Sequence, residues 1–247
     1  MGPPRRETAA TTTVSAHSAK RRRDRHLPRG RHNLNRAFVA SNQRERIIDA
    51  LAAVCARKGY RATTVEDVIA EAGVSRRTFY DLFTSKQQCF LVAYEVQMER
   101  VLEAVERAYS ACEGSWSECM ASALRTLLSL LIAEPNRARL LLVEVLSAGR
   151  PALECRHAAL SRFGSLFEPG TVGLPLAPAD AETVARAVIG GVAGALYSRI
   201  AAGQSDRLAE IGADLIYCML VPYLGHKEAM AASAAWLLEE PASQSGT

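Results

Sequence analysis

The sequence predicts an all-α protein: an N-terminal three-helix helix-turn-helix domain followed by a larger helical body. Three observations predict it. Apolar residues recur at three- and four-residue steps over most of the chain, with little sustained two-residue alternation. Aromatic residues make up only 6% while alanine and leucine abound, a composition that suits packed helices. The 247 residues suffice for one or two domains with a sizeable core.

Charge divides unevenly along the chain. Residues 1–46 hold twelve Arg and Lys against Glu7, Asp24 and Glu45, a balance of +9; the whole chain carries +4, so the other 201 residues carry −5. A basic end on a mildly acidic body suits contact with phosphate. Residues 1–40 contain Pro3-Pro4, Lys20-Arg21-Arg22-Arg23 and Pro28-Arg29-Gly30-Arg31 without any hydrophobic period, so a disordered basic tail is expected there. It is either a solvated tail or an arm reaching phosphates or the minor groove. The part nearest the first helix has Leu34, Phe38 and Val39 with which to order itself.

From Ser41 or Asn42 to Lys58 the spacing predicts the first helix, with Ile47, Leu51, Val54 and Cys55 on one buried stripe. Arg44 and Arg46 stand at its start as candidates for a DNA backbone contact. Next, Thr63 with Glu66 or Thr64 with Asp67 forms a capping box, a hydroxyl taking a free backbone N–H while an acid faces the dipole. Val65, Val68, Ile69 and Ala72 then share a face, and Gly73 ends the helix because glycine enters the left-handed C′ conformation without penalty. Ser75 is placed to cap a third helix whose Phe79, Leu82 and Phe83 point inward, leaving Arg76, Arg77, Thr78 and Tyr80 outward. That outward face is positive, rich in donors and narrow enough for a major groove. Phosphate contacts are assigned to Thr64, Thr78, Tyr80 and Lys86, and base reading to Arg76 and Arg77 with Ser75 nearby. Asp81 is either a brace for Arg77, an acceptor for cytosine, or a solvated acid.

These residues carry a resemblance. The run from Arg44 to Tyr94 resembles the DNA-binding domain of TetR/AcrR-type transcriptional regulators. Its marks are Lys58-Gly59-Tyr60, Thr63-Thr64-Val65, Ala72-Gly73-Val74-Ser75, Thr78-Phe79-Tyr80, Phe83 and Ser85-Lys86. Arg77 and Asp81 depart from the commonest pattern, on the side that would face the groove. The resemblance implies a cytoplasmic regulator, usually a repressor, that binds a palindromic operator on double-stranded DNA as a homodimer. It also implies release by a small-molecule effector, here an apolar one.

The domain boundaries expected are 1–40 for the tail, 41–86 for the helix-turn-helix, 87–240 for the ligand-sensing and dimerisation body, and 241–247 for a disordered end. In the body, helices are expected over 86–110, 116–133, 136–146, 151–167, 180–202 and 206–224, with a short one at 227–239 anchored by Trp236. Tyr94, Met98, Trp116, Met120, Leu127, Phe163 and Tyr197 are candidates for lining an apolar effector cavity, though ordinary core gives the same stripes. Gly190-Gly191-Val192-Ala193-Gly194 lies inside a helical run without a strand before it or a lysine after it, so it suits close helix approach and not phosphate. The uncharged stretch between Arg186 and Arg199 is shorter than the roughly 20 residues a bilayer needs.

Catalytic constellations are not legible. Three of the five histidines fall in the tail and two lie far apart, so no metal-ligand spacing forms, and there is no G-x-S-x-G elbow. No cofactor, metal or catalytic residue is expected. Glu144, between Val143 and Val145, is expected to face solvent or a partner arginine, with a pocket role as the lesser reading. The six cysteines form no C-x-x-C pair and read as reduced thiols, Cys112 and Cys119 being a remote option for oxidation. Two rival readings remain: a sequence-tolerant architectural DNA binder, and a helical small-molecule-binding protein or enzyme without DNA affinity.

Overall fold

The computed structural model describes residues 36–172 and 178–239; the basic tail up to residue 35 and the C-terminal end from 240 lie outside the described residues. The chain divides into residues 1–39 and 40–247. Of the first part only the opening of one helix is described, and all that follows concerns the second.

The described residues form helices and no strand. The first helix, α1, runs Arg36–Lys58. It starts before Ser41 because Arg36 to Ala40 contain no helix breaker. Its face of Ile47, Leu51, Val54 and Cys55 is buried, as the stripe predicted. α2 spans Val65–Ala72 and α3 Arg76–Leu82. α4, Lys86–Ser110, is capped by Ser85, whose Oγ accepts from the Gln88 N–H at 3.1 Å, and it runs on from the helix-turn-helix into the body.

The body continues with α5, Trp116–Ala133, which opens on a capping box of Ser115 and Glu118. α6 covers Pro135–Leu142, with proline at its first turn where its missing N–H costs nothing. The predicted single helix to Leu146 is interrupted: a 3₁₀ turn at Glu144–Ser147 follows. α7 runs Arg150–Arg162 and passes into 3₁₀ structure at Phe163–Thr171, so the helix expected to Phe167 narrows five residues early. α8 covers Pro178–Ala201, a 3₁₀ segment Ser205–Ile211, and α9 Gly212–Glu239. Gly225 breaks α9 with φ 80°, where the two shorter helices were expected to meet.

The core is continuous. α5 lies at its centre, packed on α4, on α9 and on the 205–211 turn, while α6 and α8 close another side. Two glycines are required by close approach. The Trp116 ring lies against Gly170, its N–H donates to the Leu166 carbonyl at 2.9 Å, and its edge meets Tyr223. The Trp236 ring covers Gly212 while Arg125 stacks over it at 4.0 Å, which anchors the end of α9 as expected. Residues 180–201 and 205–238 are long and apolar enough by composition to cross a membrane. The first carries Arg186 and Arg199 and the second is broken at Gly225.

Candidate nucleic-acid interface and effector cavity

Local sequence fixes the helix-turn-helix. Of the two possible caps for α2 the chain uses Thr64: its Oγ1 accepts from the Asp67 N–H at 3.2 Å, and Asp67 Oδ2 accepts from the Thr64 N–H at 2.7 Å. Thr63 is buried instead, its hydroxyl donating to the Gly59 carbonyl at 2.8 Å. Asp67 also takes the Lys58 ammonium at 2.6 Å; these donors hold its carboxyl well below the usual range. Gly73 adopts φ 61° and ψ 41°, and the Val74 N–H reaches back to the Ile69 carbonyl at 3.1 Å.

In α3, Phe79 and Phe83 lock one side into the core with ring centroids 5.6 Å apart. Ser75 caps it, its Oγ accepting from the Thr78 N–H at 3.0 Å and sharing a 2.9 Å hydrogen bond with the Thr78 hydroxyl. The other side is open to solvent. Arg76 pairs with Glu66 at 2.8 Å and lies 5.8 Å from the exposed Tyr80 ring centroid. Arg77 is 90% exposed, and its nearest charge, Asp81, is 3.9 Å away, outside hydrogen-bond reach. The helix thus brings Ser75, Arg76, Arg77, Thr78 and Tyr80 together, with Thr64 at the neighbouring N-terminus.

Lys86 stands apart from them. Its ammonium donates to the Tyr60 carbonyl at 2.9 Å and the Thr63 carbonyl at 2.7 Å, and sits 4.3 Å over the Tyr60 ring. It ties the α1–α2 connection to the start of α4. Arg46 is likewise turned inward, donating to the carbonyls of Ala72 and Gly73 at the end of α2. Neither role was legible, because both partners are backbone carbonyls more than twenty residues away.

An apolar cavity of about 90 Å³ lies in the body. Met98 of α4, Met120 and Leu127 of α5 and Phe163 line it, four of the seven residues predicted, with Leu141 and Leu142 of α6 among the others. No titratable side chain borders it. Trp116 is drawn to Gly170 and Tyr223, Tyr197 of α8 faces outward at 38% exposure, and Tyr94 lines a separate cleft. Four of the seven predicted residues are aromatic, whereas aliphatic side chains build most of the wall: Leu141 and Leu142 of α6, in the apolar run after Asn136, and Ile189, Val192 and Leu196 of α8.

Glu144 joins the body to the helix-turn-helix domain. Although 4% exposed, its Oε2 accepts from the Tyr60 N–H at 2.7 Å and its Oε1 from Arg139 Nε at 3.0 Å. Arg139 thus supplies the expected arginine, and the Tyr60 amide is a partner that sequence could not reveal. Arg137 adds a second tie, to Asp49 of α1 at 3.0 Å. Burial pushes the thiols of Cys55 and Cys119 up to about 11 and Cys89 up to about 12, leaving them weakly reactive.

Residues 47–93 match the family of bacterial regulatory proteins named for tetR. A curated relative, the uncharacterized HTH-type transcriptional regulator YerO of Bacillus subtilis (strain 168), is 38% identical over 55 residues, which are 22% of this chain and 19% of that protein. The match therefore spans only about a fifth of its length. Among solved structures, the fatty acid degradation regulator FadR of Bacillus halodurans superposes with a TM-score of 0.65 at 17% identity over 72% of this chain and 94% of that one. FadR of Bacillus subtilis, in complex with stearoyl-CoA, gives 0.63 at 19% over 73% and 98%. A TetR-like regulator from Rhodococcus sp. RHA1 gives 0.58 at 21% over 78% and 100%. The helix-turn-helix domain belongs to the tetR family of bacterial regulatory proteins, and the body has the fold of such regulators.

Proposed function

We propose that this protein is a ligand-responsive, sequence-specific transcriptional regulator of the cytoplasm. In this reading it represses by binding a palindromic operator as a homodimer and lets go when a small apolar molecule occupies the body. The observation that carries the reading is α3: one face is locked by Phe79 and Phe83, and the other offers an almost fully exposed Arg77 without a hydrogen-bonded partner. Arg77 reads guanine in the major groove, with Arg76 beside it once Glu66 gives way. Thr64, Thr78 and Tyr80 take phosphates, while Lys86, held by the Tyr60 and Thr63 carbonyls, fixes the connection beside them.

Dimerisation is supported by α8. An added Cβ at Gly190, Gly191 or Gly194 would meet nothing within 4 Å among the described residues, so this small-residue face is free for a second copy. Effector class is supported by the uncharged cavity, and by the acyl-CoA in the complex of the B. subtilis FadR whose fold is shared. Coupling would run from Leu141 and Leu142 on the cavity wall through Arg139 and Glu144 to Tyr60. An effector that binds better in the geometry unsuited to DNA then shifts the population away from the operator.

Selection of bound duplexes from a random DNA library at near-physiological salt tests this reading. Enrichment of one inverted repeat is expected. Recovery without a shared motif, with a steep salt dependence, would point to an architectural binder instead.

A further inference from the structure

Among the described residues, every side chain that borders the apolar cavity is a hydrocarbon or a thioether. A water molecule needs two to four polar partners and finds none on these side chains. A hydroxyl, carboxylate or ammonium fares no better, so burying one there costs its hydration without return. The cleft beyond Met98 carries Glu95 and Glu99, the latter paired with Arg162, and its walls give an anionic head group no spare cation. Whatever enters the cavity is therefore neutral and free of polar atoms, and recognition falls to volume and shape.

Size narrows the class. At about 90 Å³ the space is smaller than the roughly 150 Å³ that holds a benzene ring in an engineered apolar cavity. It admits one small ring once the walls give a little, and a long acyl chain exceeds it. The walls can give: Met98 from α4, Met120 from α5 and Met219 from α9 are three of the chain's five methionines, all buried, and they converge on this space. Methionine is unbranched and turns about three bonds, so it yields where a branched side chain resists. Its sulfur also favours the edge of an aromatic ring, and Phe163 and Phe167 add ring partners of their own. A saturated molecule of the same volume gains the burial without these contacts.

We infer that the cavity is a site for a whole neutral monocyclic aromatic hydrocarbon, held without any hydrogen bond, with the three methionines as its adjustable wall. This rests on the reading of the body as an effector sensor and narrows the effector from apolar molecules in general to one chemical class.

Calorimetric titration of the full chain in sealed cells with toluene, phenol and benzoate tests the inference. The three share one ring and differ in what it carries. Toluene is expected to bind about tenfold more tightly than phenol, whose hydroxyl would be buried unpaired, and benzoate is expected not to bind. Ala123→Leu on α5 and Ala193→Leu on α8 each place a leucine where an alanine borders the space. Each should hold the melting temperature while toluene affinity falls about tenfold or more; in a filled core the same change lowers melting by several degrees. Such a loss in either folded variant supports the assignment. Absence of toluene binding, equal binding of toluene and phenol, unchanged affinity in both variants, or failure of both to fold overturns it. Hexadecanoyl-CoA separates the two readings: a chain that binds it but ignores toluene sinks this inference and leaves the sensor reading standing. Toluene binding that leaves operator affinity unchanged supports the site and fails the release reading instead.

Discussion

Replacing Glu144 probes the link between body and reading domain. Its carboxylate accepts from the Tyr60 N–H at 2.7 Å and from Arg139 Nε at 3.0 Å while nearly buried. In Glu144→Gln the amide oxygen can keep the Tyr60 N–H, and the amide nitrogen then faces Arg139, donor against donor. Arg139 is 30% exposed on its side chain and can turn to water, so the loss is that of one charge-assisted bond, roughly 2 kcal/mol. Glu144→Ala leaves both partners unmet, including a buried amide, and should cost roughly 3–5 kcal/mol. At 2–4 °C per kcal/mol for a protein of this size, the glutamine variant should melt about 4–8 °C lower. Denaturant and thermal unfolding of both variants measure this, and a gel-shift titration measures how much effector is needed to release DNA. A Glu144→Ala stability within about 0.5 kcal/mol of the parent would show that Glu144 behaves as a surface carboxylate and not as a buried double acceptor.

Other outcomes follow from the same geometry. Gly170→Ala and Gly212→Ala drive a Cβ into the rings of Trp116 and Trp236, so each should destabilise by about 1–3 kcal/mol in urea unfolding even though alanine is the better helix former. Asp67 has its folded carboxyl depressed by the donors from Lys58 and Thr64, so its stabilisation is complete above its unfolded pKa of about 4 and is lost as pH falls below that. Melting curves from pH 2 to 7 should show a flatter acid limb in Asp67→Asn. Iodoacetamide at pH 8, followed by peptide mass spectrometry, should label the exposed Cys218 well before Cys55, Cys89 and Cys119, whose thiols burial holds at about 11 to 12.

Local chemistry made the reading domain legible. The Gly73 stop, the Ser75 cap and the Phe79–Phe83 anchor each involve residues within a few positions of one another, so spacing alone displayed them, while it left the α2 cap open between Thr63 and Thr64. The surface cations were harder. Arg46 and Lys86 look like Arg76 and Arg77 in sequence, and only the fold shows that the first two are turned onto distant carbonyls. The cavity was half legible for a similar reason. Periodicity shows which face of a helix is apolar, not which apolar faces fail to meet, so Met98 and Phe163 border the space while Trp116 fills a notch made by Gly170. The break at Gly225 falls in the gap left between the helices expected to end at residue 224 and to begin at 227, and its φ of 80° is one that glycine enters freely.

If the exposed face of α3 reads bases through Arg77, that arginine sets the base preference at one position of each half-site. The parent and Arg77→Ala are titrated against the selected operator and each of its single-base variants at fixed salt. The variant is expected to lose about 1–3 kcal/mol on the parent operator and to become indifferent to base identity at one position of each half-site. An equal loss on every sequence, with the base preferences of the parent intact, would contradict it and reduce Arg77 to a phosphate contact.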